Sequence, residues 1–342
     1  MDTSLKSTTF SGRCGISRTG LGARLLARPE DLPAPGDLEI TEVAVPRPAS
    51  GQVLVRNLFM SLDPGMLMLI AGESGLPMPR YELGEVMYGD AAGEVVASRD
   101  PSLVEGDLVT HRLGRREYAV AQAGLFRRVD RDAYPTPSTC LASGWSPNVG
   151  LMEAAELWPG DTVFVSSAAG ATGAMAGQTA RFKGATRVIG SAGSRDKAAY
   201  PTGRLGFDAP FDCHDGPIVD RLREAAPDGI DVCFDNVGGE QLSAAIEVIN
   251  PHGRIAVCGA LNRQSTAGPD SGPGDLLSVL GERLAVRGFT TGDHLERAAE
   301  FGAQFRAWLR EGAIVHYEVV LDYGWGVVIL VRAVIAFQRA GL

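Results

Sequence analysis

Not one cysteine falls between residues 60 and 120, and histidine occurs there once, at His111. A catalytic zinc centre with its structural lobe needs Cys and His ligands, so this scarcity excludes such a centre. The whole chain has five cysteines, Cys14, Cys140, Cys213, Cys233 and Cys258, scattered and never spaced as C-x-x-C. That argues against both a disulfide framework and a zinc site, and predicts reduced, mostly buried thiols in a cytoplasmic protein. The five histidines stand apart from one another, and Ser166-Ser167-Ala168 lacks the G-x-S-x-G elbow of a hydrolase. Positive charge is also short: 32 Lys and Arg against 41 Asp and Glu leave a net charge of −9, so affinity for nucleic acid or an anionic membrane is not expected. The apolar run Val327–Phe337 is broken by Arg332 and is far below the roughly 20 residues that cross a bilayer. Met1–Gly20 has no apolar core of a signal peptide and reads as a loose tail.

The chain has apolar mass enough for two cores: 342 residues, 45% of them hydrophobic. From Leu38 to about Arg128, short β-type runs (Glu39–Val45, Gln52–Asn57, Ala92–Ala97, Leu108–His111, Glu117–Ala121) are separated by Pro, Gly and Asp, which predicts a mostly antiparallel β domain. After Pro135 the rhythm becomes strand and helix in alternation, the pattern of a doubly wound parallel sheet in an α/β fold, with the boundary near residue 130. The strands are expected at Thr162–Ser166, Arg187–Ser191, Ala209–Asp212, Ile230–Phe234, Arg254–Cys258 and Leu284–Phe289. Helices are expected at Gly173–Lys183, Arg195–Leu205, Ile218–Ala226 and Glu240–Val248. Pro201 inside the second of these predicts a break near Tyr200. His294–Glu311 reads as one amphipathic helix with Leu295, Ala298, Phe301 and Phe305 on its apolar face.

Chemistry enters at the end of the first of these strands. Ser167-Ala-Ala-Gly170-Ala171-Thr172-Gly173 joins strand to alanine-rich helix as A-x-G-x-x-G, the arrangement that seats a dinucleotide pyrophosphate on a helix N-terminus. A tight structural turn is the alternative. The second strand ends without the acid that binds a ribose 2′-hydroxyl; Ser194, Arg195 and Lys197 stand there instead, suited to a 2′-phosphate and hence to NADP(H), with a solvated helix start as the alternative. Two more strand ends, Asp235–Gly239 and Cys258–Asn262, fall on the same edge, and Asn236 can hydrogen-bond ribose or carboxamide.

"SLDP" at Ser61–Pro64, "LGEVMYG" at Leu83–Gly89, "SSAAGATGAMAGQTARFKGATRVIGSAGS" at Ser166–Ser194, "GIDVCFDNVGGE" at Gly229–Glu240 and "GRIAVCGA" at Gly253–Ala260 together resemble the zinc-independent medium-chain dehydrogenase/reductases of the prostaglandin, curcumin and plant double-bond reductase group. The resemblance runs from about Leu21 to Tyr317. It implies a GroES-like catalytic domain over 21–129, a Rossmann NADP-binding domain over 130–295, and a return of 296–342 to the catalytic domain, in a homodimer. It further implies NADPH-dependent hydride transfer to the β-carbon of a small α,β-unsaturated ketone or aldehyde. By motif, Gly170–Gly173, Lys197, Asn236, Cys258, Gly259, Ala260 and Phe289 would touch the cofactor.

The substrate side departs from that group. "SLDPYMR" reads Ser61-Leu-Asp-Pro-Gly65-Met66-Leu67, so a tyrosine and an arginine are lost. The tyrosine after the "CGA" strand falls at Gln264, "GLTAY" becomes Gly144-Trp-Ser-Pro-Asn148, and the tyrosine that helps hold the 2′-phosphate falls at Cys213. Leu321–Leu342 lacks the closing "GxNxGK" turn. Gln264 and Asn148 are the fallback carbonyl donors, while Tyr81 and Tyr88 are expected to be packing residues. No catalytic side chain is assigned from the sequence. Quinone reduction on the same fold, or a cofactor-binding protein with altered catalysis, are the alternative readings.

Overall fold

The computed structural model describes residues 18–30, 32–72, 78–141, 144–201, 205–262 and 276–316. β1 (Thr19–Leu25) pairs antiparallel with β2 (Leu38–Ala44), so an ordered strand begins just inside the segment read as a tail. Its cross-strand partners are why: alternate residues Ala23 and Leu25 are buried against Leu38, Met66 and Met87.

A second antiparallel sheet is built from β3 (Gln52–Met60), β4 (Ala91–Ser98), β5 (Leu108–His111), β6 (Tyr118–Gln122) and β7 (Arg127–Val129), in the order β6-β3-β4-β5-β7. Val53, Val55, Val95, Val109 and Phe126 form its core. Between β3 and β4 runs a short helix that periodicity does not announce, α1 (Met66–Ala71). Pro64 lies just before it, and Gly72, with φ at 78°, ends it by donating to the Met68 carbonyl. His111 is buried in this sheet. Its Nδ1 accepts from the Leu113 amide at 3.0 Å, its Nε2 meets Asn57 Oδ1 at 2.8 Å, and burial together with Arg116 pushes its pKa down to about 4. It is a neutral packing residue at pH 7 and has no free ring nitrogen for a base or ligand role.

After α2 (Trp145–Val149) the chain alternates: β8 (Thr162–Val165), α3 (Ala171–Phe182), β9 (Arg187–Ala192), α4 (Arg195–Tyr200), β10 (Ala209–Asp212), α5 (Ile218–Ala225), β11 (Ile230–Asp235), α6 (Gly239–Val248), β12 (Ile249–Val257), α7 (Leu276–Gly281) and β13 (Ala285–Gly288). The six strands are parallel in the order β10-β9-β8-β11-β12-β13. Both faces are covered, one by Ala174, Ala176 and Ala180 of α3, the other by Leu222 of α5 and by Leu242, Ala245 and Ile246 of α6. This is the doubly wound Rossmann sheet expected from the sequence, and its strand order reverses between β8 and β11, where such sheets open a crevice at their carboxyl ends.

α4 stops at Tyr200, one residue before Pro201, as expected. The amphipathic helix expected from His294 starts later. Residues Thr291–Arg297 form a 3-10 segment kinked at His294 (φ −127°, ψ 25°), and α8 covers Ala298–Arg310. Leu295 is therefore 65% exposed rather than part of the apolar face. α8 buries Phe301, Phe305 and Leu309 against Met175 of α3, and Val315 beyond it exchanges two hydrogen bonds with the Gln178 amide at 2.8 and 3.1 Å. No helix among the described residues is long and apolar enough to cross a membrane.

Candidate active site

The site is assembled from the carboxyl ends of β8, β9, β11 and β12, which are stitched together by their own backbones. Ala168 donates to Ser191 O at 2.7 Å, Ser166 to Phe234 O at 3.2 Å, Cys258 to Asp235 O at 2.7 Å, and Leu261 to Asn236 O at 3.1 Å. At the centre lies Asp235, with no exposed surface. Its carboxylate accepts from the Ser166 hydroxyl at 2.7 Å and from the amides of Val237 and Gly238 at 3.2 and 2.9 Å. The Ser166 hydroxyl in turn accepts from the Asn236 amide at 2.7 Å. Ser191 donates to Gln241 and accepts from the Ser167 amide at 3.3 Å. This buried polar clamp holds the switch point rigid, and sequence reasoning missed it because its partners lie about 70 residues apart. The one signal was an acid closing the apolar run Val-Cys-Phe at the strand end, in Ile-Asp-Val-Cys-Phe-Asp235.

Gly173 is dictated by contact. A β-carbon there would run into the Ser167 carbonyl, 2.8 Å from its carbon and 3.0 Å from the Ala168 Cα. Only glycine lets α3 start this close to the end of β8. Gly170, extended at φ −75° and ψ 163°, offers no capping side chain, so Ala171, Thr172 and Gly173 begin the helix without a side-chain cap above their amides. Across the crevice Gly238 sits at φ 74° in open space: its nearest neighbour to a built β-carbon is the Ala260 Cα, 3.9 Å away. An uncapped helix start facing small residues fits a phosphate-bearing, flat-ringed cofactor.

The remaining residues singled out by sequence are placed unequally. Ser194 caps α4, its hydroxyl accepting from the Lys197 amide at 3.3 Å. Lys197 is half-buried, burial lowers its pKa, and it has no ion-pair partner among the described residues. A half-desolvated ammonium of this kind favours an anion beside it. Arg195 is committed elsewhere: it pairs with Asp215 at 3.0 Å and its side chain is 78% exposed. Asn236 is buried and its Nδ2 donates to Ser166 O at 2.7 Å, which makes it first a member of the clamp. The Cys258 thiol, pushed up to about 12 by burial and by Asp235, is no nucleophile. Gly259 and Ala260 continue the turn past it, where a β-carbon on Gly259 would lie 2.8 Å from Asn236 O. Phe289, half-buried, packs at 6.3 Å on the ring of Phe234.

On the substrate side, Gly65 faces open space: a β-carbon there meets nothing within 4 Å. Asn148, at the motif position of a lost tyrosine, is buried in α2. It lines a small cavity with Met152, Lys183, Arg297, Glu300, Phe301 and Gln304, a lining to which neither the glycine loop nor the β11 and β12 turns contribute. Tyr81 and Tyr88 pack as expected, edge to face at 4.9 Å, with the Tyr81 hydroxyl donating to Tyr88 O at 2.9 Å and the Tyr88 hydroxyl to Pro79 O. Gln264 and Leu321–Leu342 lie outside the described residues. Arg115, unannounced by sequence and 2% exposed, donates to the Ser61 carbonyl and reaches Met66 Sδ at 2.8 Å, bracing the loop that carries Gly65.

With this geometry in place, comparison with known proteins assigns the chain. Residues 22–129 match the family described as N-terminal domain of oxidoreductase, and residues 171–305 the family described as zinc-binding dehydrogenase. The NADPH-dependent curcumin reductase of Escherichia coli (strain K12) is 32% identical over 306 residues, 87% of this chain and 88% of that protein. The chain belongs to the zinc-independent medium-chain dehydrogenase/reductase family. Within this family, prostaglandin reductase 1 of Oryctolagus cuniculus is 33% identical over 302 residues, 85% of this chain and 82% of that protein. CurA from Vibrio vulnificus, solved in complex with NADPH, superposes with a TM-score of 0.84 at 29% identity, covering 94% of this chain and 96% of that one. As a zinc-independent medium-chain dehydrogenase/reductase, the chain is an oxidoreductase.

Proposed function

We propose that this chain is an NADPH-dependent reductase of α,β-unsaturated ketones or aldehydes, small molecules reduced at the carbon–carbon double bond. The observation that carries this reading is the uncapped start of α3 at the β8/β11 switch point, closed off by the Asp235 clamp. Bound NADPH supplies the hydride for the β-carbon. The chain's residues do the rest: the first-turn amides of α3 hold the pyrophosphate, Ser194 and Lys197 receive the 2′-phosphate, and Gly238 and Ala260 leave room for a flat ring. Phe289, backed by the buried ring of Phe234, walls the apolar side, and the Ser61–Met66 loop braced by Arg115 borders the substrate. The resemblance between this chain and enone and enal reductases named for curcumin, prostaglandins and pulegone supports the substrate class. We place the catalytic domain at 21–129, the NADP-binding domain at 130–295 and the returning segment from 296.

Lys197→Ala is expected to raise the NADPH dissociation constant about tenfold, as loss of one charge-assisted contact does, and to leave NADH binding unchanged. Arg195→Ala, already tied to Asp215, is expected to change it less. Titration by the fluorescence of the reduced nicotinamide measures both.

Gly65 motivates a second reading, a cofactor-binding protein whose turnover is weak because the carbonyl has lost its donor. Gly65→Tyr, which fills open space, is expected to raise kcat for an enone at least about tenfold with NADPH binding unchanged. An unchanged kcat would show that the missing phenol limits nothing. A panel of enones, enals and quinones followed by NADPH absorbance separates the readings: oxidation with enones and enals is expected, oxidation by quinones alone would make it a quinone reductase, and none at all would leave a binding protein.

A homodimer is also proposed. Among the described residues the edge strand β13 has no partner on one side, and Leu276, Leu277 and Leu280 of α7 are each more than 70% exposed. Light scattering during gel filtration is expected to give twice the 36.1 kDa chain mass, and Leu277→Glu with Leu280→Glu a monomer.

A further inference from the structure

At the end of β10 three consecutive side chains, Asp212, Cys213 and His214, bring one carboxylate oxygen, one sulfur and one ring nitrogen within 4.8 Å of one another. The Cys213 Sγ lies 3.7 Å from His214 Nδ1, and that nitrogen lies 3.4 Å from Asp212 Oδ1. Zinc bonds of about 2.3 Å to sulfur and about 2.0 Å to nitrogen and oxygen, at tetrahedral angles, set edges of about 3.6 Å between sulfur and nitrogen and about 3.3 Å between nitrogen and oxygen. The observed edges match these. The carboxylate is also oriented from behind, because Asp212 Oδ1 accepts the His214 amide at 2.9 Å, and the His214 ring is 73% exposed to incoming ions.

We propose that Asp212, Cys213 and His214 form a three-ligand site for Zn2+, with its fourth position open to water or an anionic oxygen. A sulfur–nitrogen–oxygen set selects zinc over magnesium or calcium, which take oxygen donors. Binding forms the Zn–S bond as the thiol proton leaves to solvent; nothing is oxidised or reduced. The site is separate from the hydride-transfer chemistry and lies at the adenosine end of the cleft. The Cys213 amide donates to Ala192 O at 2.9 Å, which ties the cluster to the end of β9, two residues from Ser194. A dication there cancels the charge of Asp212 and strengthens binding of a 2′-phosphate. That consequence rests on the NADPH reading; the metal site does not.

The test uses the full chain and Co2+ as an optical stand-in for zinc, with Zn2+ displacement. One equivalent of Co2+ is expected to give a thiolate charge-transfer band and the strong visible absorption of four-coordinate cobalt, both removed by Zn2+. Both signals are expected to vanish in Cys213→Ser and in His214→Ala, the latter an exposed position that leaves the fold intact. Persistence of the charge-transfer band in both variants, or its absence in the wild type, overturns the site. Zn2+ is further expected to tighten NADPH several-fold and NADH not at all; a cobalt signal without that change would keep the metal site and reject its link to the cofactor.

Discussion

Gly173→Ala is expected to raise the NADPH dissociation constant by about 100-fold or more while the chain stays folded. The added methyl carbon has nowhere to go: it meets the Ser167 carbonyl, the last piece of backbone before the loop turns. α3 must back away from β8, carrying its first-turn amides off the pyrophosphate, and a shift near 1 Å in a positioned contact costs about two orders of magnitude. Gly124→Ala, where a β-carbon meets nothing within 4 Å, is the matched control and is expected to bind like the wild type. Fluorescence titration with circular dichroism in parallel reads both. A Gly173→Ala chain that binds NADPH normally would mean the loop is a turn and nothing more.

Asp235→Ala is expected to have the largest effect on stability, a loss of at least about 3 kcal/mol, since a buried charged acceptor disappears and the Ser166 hydroxyl and two amides lose their partner. The cost is not local. Ser166 also accepts from the Asn236 amide, so the ends of β8 and β11 come apart together. Asp235→Asn keeps one acceptor oxygen and is expected to lose less. Urea unfolding followed by tryptophan fluorescence measures the ranking, and an alanine variant with the wild-type midpoint would remove the clamp from the account.

The parallel sheet was legible in the sequence because its central strands β8, β9 and β11 are mostly apolar and buried, and alternate with helical segments. Proline told the truth at Tyr200, where α4 ends. What stayed hidden has local causes. α1 was hidden because Met66-Leu-Met-Leu-Ile70 is apolar without a period, although Pro64 and Gly72 bracketed it. β1 was hidden because its apolar alternation spans only a few residues within a Ser- and Gly-rich stretch. Leu295 fits the apolar stripe of a helix that His294 does not allow to form.

The site was half legible for a similar reason. Glycines and strand ends are written in consecutive residues, so the loop at Gly170–Gly173 and the turns after β11 and β12 could be found from spacing. Pairings at long range could not. Arg195 and Lys197 look equivalent in sequence, but Asp215, 20 residues on, engages the first and leaves the second without an ion pair among the described residues. Asn148 occupies the motif position of a lost tyrosine and yet lines a cavity beside Lys183 and α8. The emptied space at Gly65 is the structural counterpart of a departure the sequence did reveal.

The most direct measurement follows the transferred atom. The wild-type protein is given NADPH deuterated at C4 of the nicotinamide and a simple enone, and the product is analysed by nuclear magnetic resonance. Deuterium on the β-carbon of a saturated ketone is the expected result. Deuterium on the carbonyl carbon of an allylic alcohol, or no consumption of NADPH with any enone or enal, would contradict it.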